Sequence, residues 1–229
     1  MTWLASALRN AGLEVIEVDG WEQRGDPDID VEGVVCHHTA TGANWTDKSV
    51  ARLLRDGRPD LPGPLSQLGL DRAGRFWLIA AGRCNHNGYG VWGNDSIGIE
   101  AFNDGRGEPW GAPILDAYAR GCAAIARHLG LTVNEIRGHK ETDPARKIDP
   151  TFDMDRLRLT ISRHLNPPPP PVLPPEEPVL IKRKSNPNHA LLYVGGLLFE
   201  AHGSTGEGPV VDDGVWNKIV TELGPVIPT

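Results

Sequence analysis

The 229-residue sequence has little cysteine, no long apolar run and no excess of positive charge. Cys36, Cys84 and Cys122 are too few and too widely spaced for a disulfide framework. An odd number also leaves at least one thiol free, a pattern that fits a chain made in a reducing compartment. Without a stretch of roughly 18 apolar residues, no membrane span and no stable membrane association are expected. The first residues, Met1-Thr-Trp-Leu-Ala-Ser-Ala-Leu8, lack the apolar core of a signal peptide. A formal net charge of -7 argues against nucleic acid held through a basic footprint. No internal repeat is present, and nothing calls for a second subunit, so a monomer is expected.

What the chain has in quantity is proline. Eight of its 20 prolines fall in Pro167-Pro-Pro-Pro-Pro-Val-Leu-Pro-Pro-Glu-Glu-Pro178, which reads as a stiff, extended polyproline spacer. It predicts a main domain over 1–166, a linker over 167–178 and a small module over 179–229.

Within 1–166 the pattern alternates between helix and strand. Trp3, Leu4, Ala7 and Leu8 suggest a first helix ending near Gly12, and Leu13 to Val18 alternate as a strand does. Val34-Val35-Cys36 reads as a buried strand running into His37-His38-Thr39. Asp47 to Gly57 reads as a helix with Thr46 or Asp47 as its cap and Gly57 as its stop. Asp60 to Pro64 reads as a rigid loop. A hairpin follows, Ser66–Leu70 and Arg75–Ala80 around Asp71-Arg-Ala-Gly74. Residues 81–95 are rich in Gly and Asn and read as loop. In the next strand, Ser96 to Phe102, alternation sets Ile97 and Ile99 on one face and Ser96, Gly98 and Glu100 on the other. The bare Gly98 is expected to leave room beside Glu100. Ala112 to Leu129 carries an apolar stripe through Leu115, Tyr118, Cys122, Ile125, Ala126 and Leu129, closed by Gly130. Met154 to Leu165 forms a last helix capped by Asp153. In the tail, Ala190–Val194 and Leu197–Ala201 make a hairpin around Gly195-Gly196, and a short helix carries Val215, Trp216, Ile219 and Val220.

Arg137 to Pro150 gathers His139, Lys147 and Asp149, and Pro144 and Pro150 prevent a continuous helix there. A histidine and a carboxylate in irregular backbone, with a cation two residues before the carboxylate, suit part of a zinc site with an attached electrophile. The third ligand candidate is His37; extended backbone sends His37 and His38 to opposite faces, so only one of them is expected in a given site. Two histidines and one carboxylate leave zinc a fourth position for water or substrate. On its own, a His-His pair before threonine reads more readily as a structural or surface feature than as a ligand.

Val35-Cys-His-His-Thr-Ala40, Asn94-Asp-Ser-Ile-Gly-Ile-Glu100, Gly138-His-Lys-Glu141 and Lys147-Ile-Asp-Pro150 occur in that order. Together they resemble the zinc-dependent N-acetylmuramoyl-L-alanine amidases, which share their fold with peptidoglycan recognition proteins. The resemblance covers about residues 30–165. It implies zinc on His37, His139 and Asp149, a catalytic carboxylate at Glu100, and Lys147 as the charge that stabilises the tetrahedral intermediate. His86 and Asn94 are the substrate-binding candidates, His86 standing where relatives place a cleft-lining histidine. One branch of the family uses a tyrosine before the hairpin turn, but Pro64-Leu-Ser-Gln-Leu68 has none, and some relatives have histidine where Gln67 stands. Both departures favour Glu100. Cys36 reads as core.

The expected fold is α/β, with a mixed central β-sheet flanked by helices and a small C-terminal α+β module. The resemblance is strongest to endolysins of phages that infect actinobacteria. It implies a peptidoglycan substrate, and an enzyme made in host cytoplasm and released to the wall without a signal peptide. A non-catalytic recognition protein and a cytoplasmic muropeptide-recycling amidase are the alternatives. Tyr193, Phe199 and Trp216 fit either a miniature core or a sugar-binding face. Lys182-Arg183-Lys184 fit either solvated charge or contact with anionic wall polymers.

Overall fold

Short apolar repeats and glycine or proline stops divide the first part of the chain into brief elements. The computed structural model describes residues 1–167, 179–183, 186–194, 197–202, 210–211, 216 and 227–228. Contacts divide the chain into two units, Met1–Pro168 and Pro169–Thr229.

The first unit opens with helix α1 (Trp3–Asn10), which buries Leu4, Ala5 and Leu8, and strand β1 (Val15–Glu17). Strand β2 (Val34–His38) follows, then α2 (Asp47–Asp56), where the Thr46 side chain accepts the Ser49 N–H as an N-cap. Gly57, at φ 80°, turns the chain out of α2. Within Asp60–Pro64, expected as a rigid loop, Leu61–Pro62 form β4 and pair with β3 (Gly57–Arg58) in a small ribbon. The hairpin β5 (Leu68–Leu70) and β6 (Phe76–Leu78) and the strand β7 (Ile97–Ala101) lie where alternation predicts them. Helix α3 (Ala112–Leu129) has Pro113 in its first turn, and Gly130 ends it at φ 71°.

Residues 136–142 differ from the expected irregular run. Ile136–Gly138 form strand β8, and His139–Thr142 form one turn of helix, α4. Three residues carry too little pattern to announce a strand; pairing with β2 at the sheet edge makes it one. Helix α5 (Met154–Leu165) is capped by the Asp153 carboxylate, which accepts the N–H groups of Asp155 and Arg156.

The sheet order is β1-β6-β5-β7-β2-β8. Only the β5–β6 hairpin is antiparallel; the other neighbours run parallel. One face carries the main core, where Val34, Cys36, Leu68, Ile97, Ile99 and Ile136 meet residues of α1, α3 and α5. A smaller cluster of Val50, Leu54, Trp77, Ile79 and Phe102 gathers α2 with the sheet. Trp77, Gly69, Glu100 and His37 are register partners in one row across neighbouring strands. Period-two alternation keeps that row on the face opposite Ile99 and Cys36. The row meets the chain again at β8, whose last residue, Gly138, pairs with Cys36, so His139 begins beside His37.

All three cysteines are buried free thiols, and Cys36 Sγ lies 4.0 Å from Cys122 Sγ in the core. No described helix is long and apolar enough to cross a membrane.

In the second unit, β9 (Val179–Arg183), β10 (Asn186–Val194) and β11 (Leu197–His202) run antiparallel in sequence. Strands β12 (Val210–Val211) and β13 (Ile227–Pro228) pair parallel at the edges, giving β12-β9-β10-β11-β13. Val194 pairs with Leu197, so the expected hairpin is present, while its Gly195-Gly196 turn lies outside the described residues. The same holds for the proline run from 168 to 178, for Lys184, and for the predicted last helix apart from Trp216, which is helical and buried.

Candidate functional site

At the C-terminal ends of β2 and β7 the sheet opens into a cleft of about 350 Å³, whose lining includes His37, His86, Glu100, His139, Lys147 and Asp149. Parallel strands that end together bring their last side chains to one rim. His37 is 1% exposed. Its backbone is held by the Tyr118 hydroxyl, which accepts the His37 N–H at 2.9 Å and donates to the Ile99 carbonyl at 2.6 Å. Tyr118 reads from sequence as stripe; a buried hydroxyl in an apolar stripe is the signal that it has a polar partner.

The segment of the other two residues is fastened at several points. Glu141 accepts the Gly138 N–H at 2.8 Å and pairs with Arg158 of α5. The Lys140 N–H donates to the Asp149 carbonyl at 2.7 Å, and the Thr142 hydroxyl donates to Asn87 at 2.7 Å. These bonds place Asp149 between two imidazoles: its Oδ2 lies 3.1 Å from His37 Nδ1 and 3.2 Å from His139 Nδ1.

One ligand atom from each of His37, His139 and Asp149 lies within 4.8 Å of the others, and these three form the metal-type cluster among the described residues. Burial pushes His37 down to about 4 despite its bond to Asp149. Burial raises the Asp149 carboxyl, but hydrogen bonds from His139 and His37 outweigh it and leave the group well below the usual carboxylate range. His139 Nε2 is buried with no partner. A neutral imidazole keeps one ring nitrogen free of a proton, so two such rings and a carboxylate offer a cation three donor atoms. The donor set, two imidazoles and a carboxylate, fits zinc with one position left open.

Glu100 is the cross-strand partner of His37. Its Oε2 is buried with no hydrogen-bond partner. Burial foremost, then the charge of Asp149, raises its carboxyl to about 8, while Lys147 and Arg58 pull the other way. The stability contributed by a neutral Glu100 is therefore complete below its ordinary value of 4.5 and is lost as pH rises through about 8. In metal-free protein, Glu100→Gln should gain thermal stability relative to wild type between about pH 5 and about pH 9. Parallel melting profiles over that window would contradict the burial of an ionisable group there. A divalent cation beside Glu100 acts in the opposite direction and lowers its carboxyl.

The Lys147 ammonium makes no hydrogen bond or ion pair among the described residues and lines the cleft. Arg58, Arg106 and Arg146 line it too, and sequence reading did not single them out. They come from separate segments, Arg58 from β3 and the others from loops, so no local pattern joins them. Arg146 pairs with Asp143 and stands over the Tyr89 ring, 5.4 Å from its centroid. His38, expected to leave the site, lines the same cleft because the strand ends there; its Nδ1 is buried without a partner.

His86 lines the cleft, and both His86 and Asn94 line an adjoining pocket that shares His139 and Lys147 with it, but their polar atoms are engaged within the chain. His86 Nδ1 meets His37 Nε2 at 3.0 Å, and His86 Nε2 meets the Ser96 carbonyl oxygen at 3.0 Å. Asn94 Oδ1 accepts the backbone N–H groups of His86, Asn87 and Gly88. The room expected beside Gly98 is filled: a Cβ there would lie 2.7 Å from His86 Cγ. Gly98 makes room for an imidazole and not for open space next to Glu100. Gln67 is buried, accepting the Gly98 N–H at 2.7 Å and donating to the Gly82 and Ser96 carbonyls. Cys84 lies apart from the cluster, its thiol donating to the Gly82 carbonyl.

A family model described as N-acetylmuramoyl-L-alanine amidase matches residues 27–152, more than half of the chain. No curated protein sequence matches. Among solved structures, the Staphylococcus aureus hydrolase AmiA, in complex with its ligand, is similar with a TM-score of 0.53 at 15% identity, over 71% of this chain and 89% of that one. The amidase LysC from Clostridium intestinale gives 0.52 at 14% identity, over 65% and 97%. The catalytic domain of XlyA gives 0.51 at 16% identity, over 65% and 99%. At these identities the likeness is one of fold, and the fold is the mixed sheet flanked by helices.

Proposed function

The chain belongs to the N-acetylmuramoyl-L-alanine amidase family, and from that premise we propose that it hydrolyses the lactyl–L-alanine amide of peptidoglycan with zinc held by His37, His139 and Asp149. The observation that carries this reading is the convergence of those three donors at the foot of one cleft, with Glu100 on the adjoining strand. Zinc supplies Lewis acidity there, polarising the scissile carbonyl and making water acidic enough to attack near neutral pH.

The chain's own groups do the rest. Glu100, ionised once a cation lies alongside, accepts the proton of the attacking water and passes it to the departing nitrogen. The C–N bond breaks, a C–O bond forms, and the products are a lactyl carboxylate and a free L-alanine amine. Lys147 faces the negative charge that grows on the carbonyl oxygen and stabilises it. Asp149 takes part in orienting both histidines, so it fixes the site as well as contributing a donor.

The setting proposed is lysis of a phage-infected bacterium, with the enzyme made in host cytoplasm and reaching the wall once the membrane is breached. What supports it is the sequence resemblance to endolysins of actinobacterial phages and a small second unit, Pro169–Thr229, in the place of a wall-binding module. A recognition protein without catalysis is disfavoured by the complete donor set. Digestion of purified peptidoglycan with zinc-loaded protein should release new L-alanine amino termini and free muramic lactyl groups in equal amounts. Intact amide bonds after that digestion would overturn the activity.

A further inference from the structure

His86 is not one of the three donors, yet its ring touches the side of His37 that faces away from Asp149. A carbonyl oxygen only accepts, so the 3.0 Å contact with the Ser96 carbonyl places a proton on His86 Nε2. The ring is buried, and no carboxylate among the described residues touches it. A second proton on Nδ1 would make it an uncompensated buried cation. His86 Nδ1 therefore presents a lone pair, and the proton in its 3.0 Å contact with His37 belongs to His37 Nε2. The other nitrogen of His37, Nδ1, faces Asp149 Oδ2 at 3.1 Å and is the one that a metal would take.

The ring of His86 has little room to turn. Gly98 packs against its Cγ, Nδ1 and Cδ2. Its backbone N–H is held by Asn94 Oδ1 at 3.1 Å, together with those of Asn87 and Gly88. Gly98 is required for this, because a methyl group there would occupy the space of the imidazole.

We propose that His86 is a positioning residue for the metal centre: fixed by the Ser96 carbonyl and the Asn94 side chain, it accepts a hydrogen bond from His37 Nε2 and so turns the Nδ1 lone pair of His37 toward the metal. The assignment rests on the metal reading of the site and deepens it. A ligating histidine whose second nitrogen donates to a fixed acceptor is both oriented and more basic, and loss of such an acceptor costs roughly 10–100-fold in metal affinity.

Two measurements on the full chain test this without relying on hydrolysis. In nitrogen-15-labelled protein, a coupling through the hydrogen bond should join the His37 Nε2–H to His86 Nδ1, with and without zinc. Zinc affinity, read by competition with a chromophoric chelator, should fall roughly 10–100-fold in His86→Gln, whose amide reaches the Ser96 side but offers nothing at the Nδ1 position. His86→Asn, whose side-chain oxygen can occupy that position, should stay close to wild type. A proton found on His86 Nδ1, or wild-type affinity in His86→Gln, would overturn the proposal. If neither variant folds, the coupling in the wild-type protein decides alone. Zinc binding without the coupling sinks this inference only; the coupling without zinc binding sinks the metal reading on which it rests.

Discussion

Glu100→Gln is expected to reduce amide hydrolysis by roughly 10²–10⁴-fold while bound zinc remains at the wild-type level. Glutamine keeps the shape of the half-buried side chain and removes its capacity to take a proton. Glu100 is suited to proton transfer because no hydrogen bond occupies its buried Oε2. Burial holds its proton affinity up, to about 8 before any metal is added. The neighbouring Lys147 and a bound cation bring it down toward the range in which a general base works near neutral pH. The variant keeps His37, His139 and Asp149, so zinc content measured beside activity separates loss of a proton carrier from loss of the metal. Full activity in a zinc-loaded Glu100→Gln protein would remove Glu100 from the chemistry. Glu100→Ala should behave alike, with an added loss of stability from the vacated space.

Asp149→Ala is expected to abolish both zinc retention and hydrolysis, reducing activity to that of the chelator-treated wild type. Its Oδ2 is the atom on which both histidine Nδ1 atoms converge. Without it two imidazoles remain, fewer than the three protein ligands of a hydrolytic zinc site. Added zinc should restore the chelated wild type and leave the variant inactive. Zinc should also raise the melting temperature of the wild type, since a ligand that binds only the folded state stabilises it by mass action. That shift should be missing in Asp149→Ala. An Asp149→Ala protein that retains stoichiometric zinc would place the centre elsewhere.

The longer elements of the first unit follow local rules, and so they were legible. Helix α3 is announced by its long apolar stripe and by Gly130, which can adopt φ 71° without strain. The strand ending at Ala101 is announced by strict alternation, which also assigns Glu100 to the face opposite Ile97 and Ile99. Residue pattern offered His37, His139 and Asp149 as candidates, the family resemblance added roles for Glu100 and Lys147, and the fold gathers all five into one cleft. Strand β8 and the turn of helix at His139 were not legible, because three or four residues repeat neither pattern often enough to distinguish it. Their form is imposed by pairing with β2 and by the Glu141–Arg158 ion pair, which join residues far apart in the chain.

What the sequence determined by itself about this protein is the identity of the reactive groups and the face of the strand on which each stands, since side-chain chemistry and period-two geometry are local. The tertiary structure decided how those groups address one another. Gly98, read along the strand, is an empty position; only the loop 81–95, folded over β7, shows that His86 fills it and reaches His37. Asn94, a substrate-binding candidate by motif, accepts three N–H groups of that same loop. Tyr118, one more member of an apolar stripe, holds the backbone of His37 across 81 residues of chain. Hydrogen bonds over such separations depend on which surfaces the fold brings together, and residue order within one segment does not encode that.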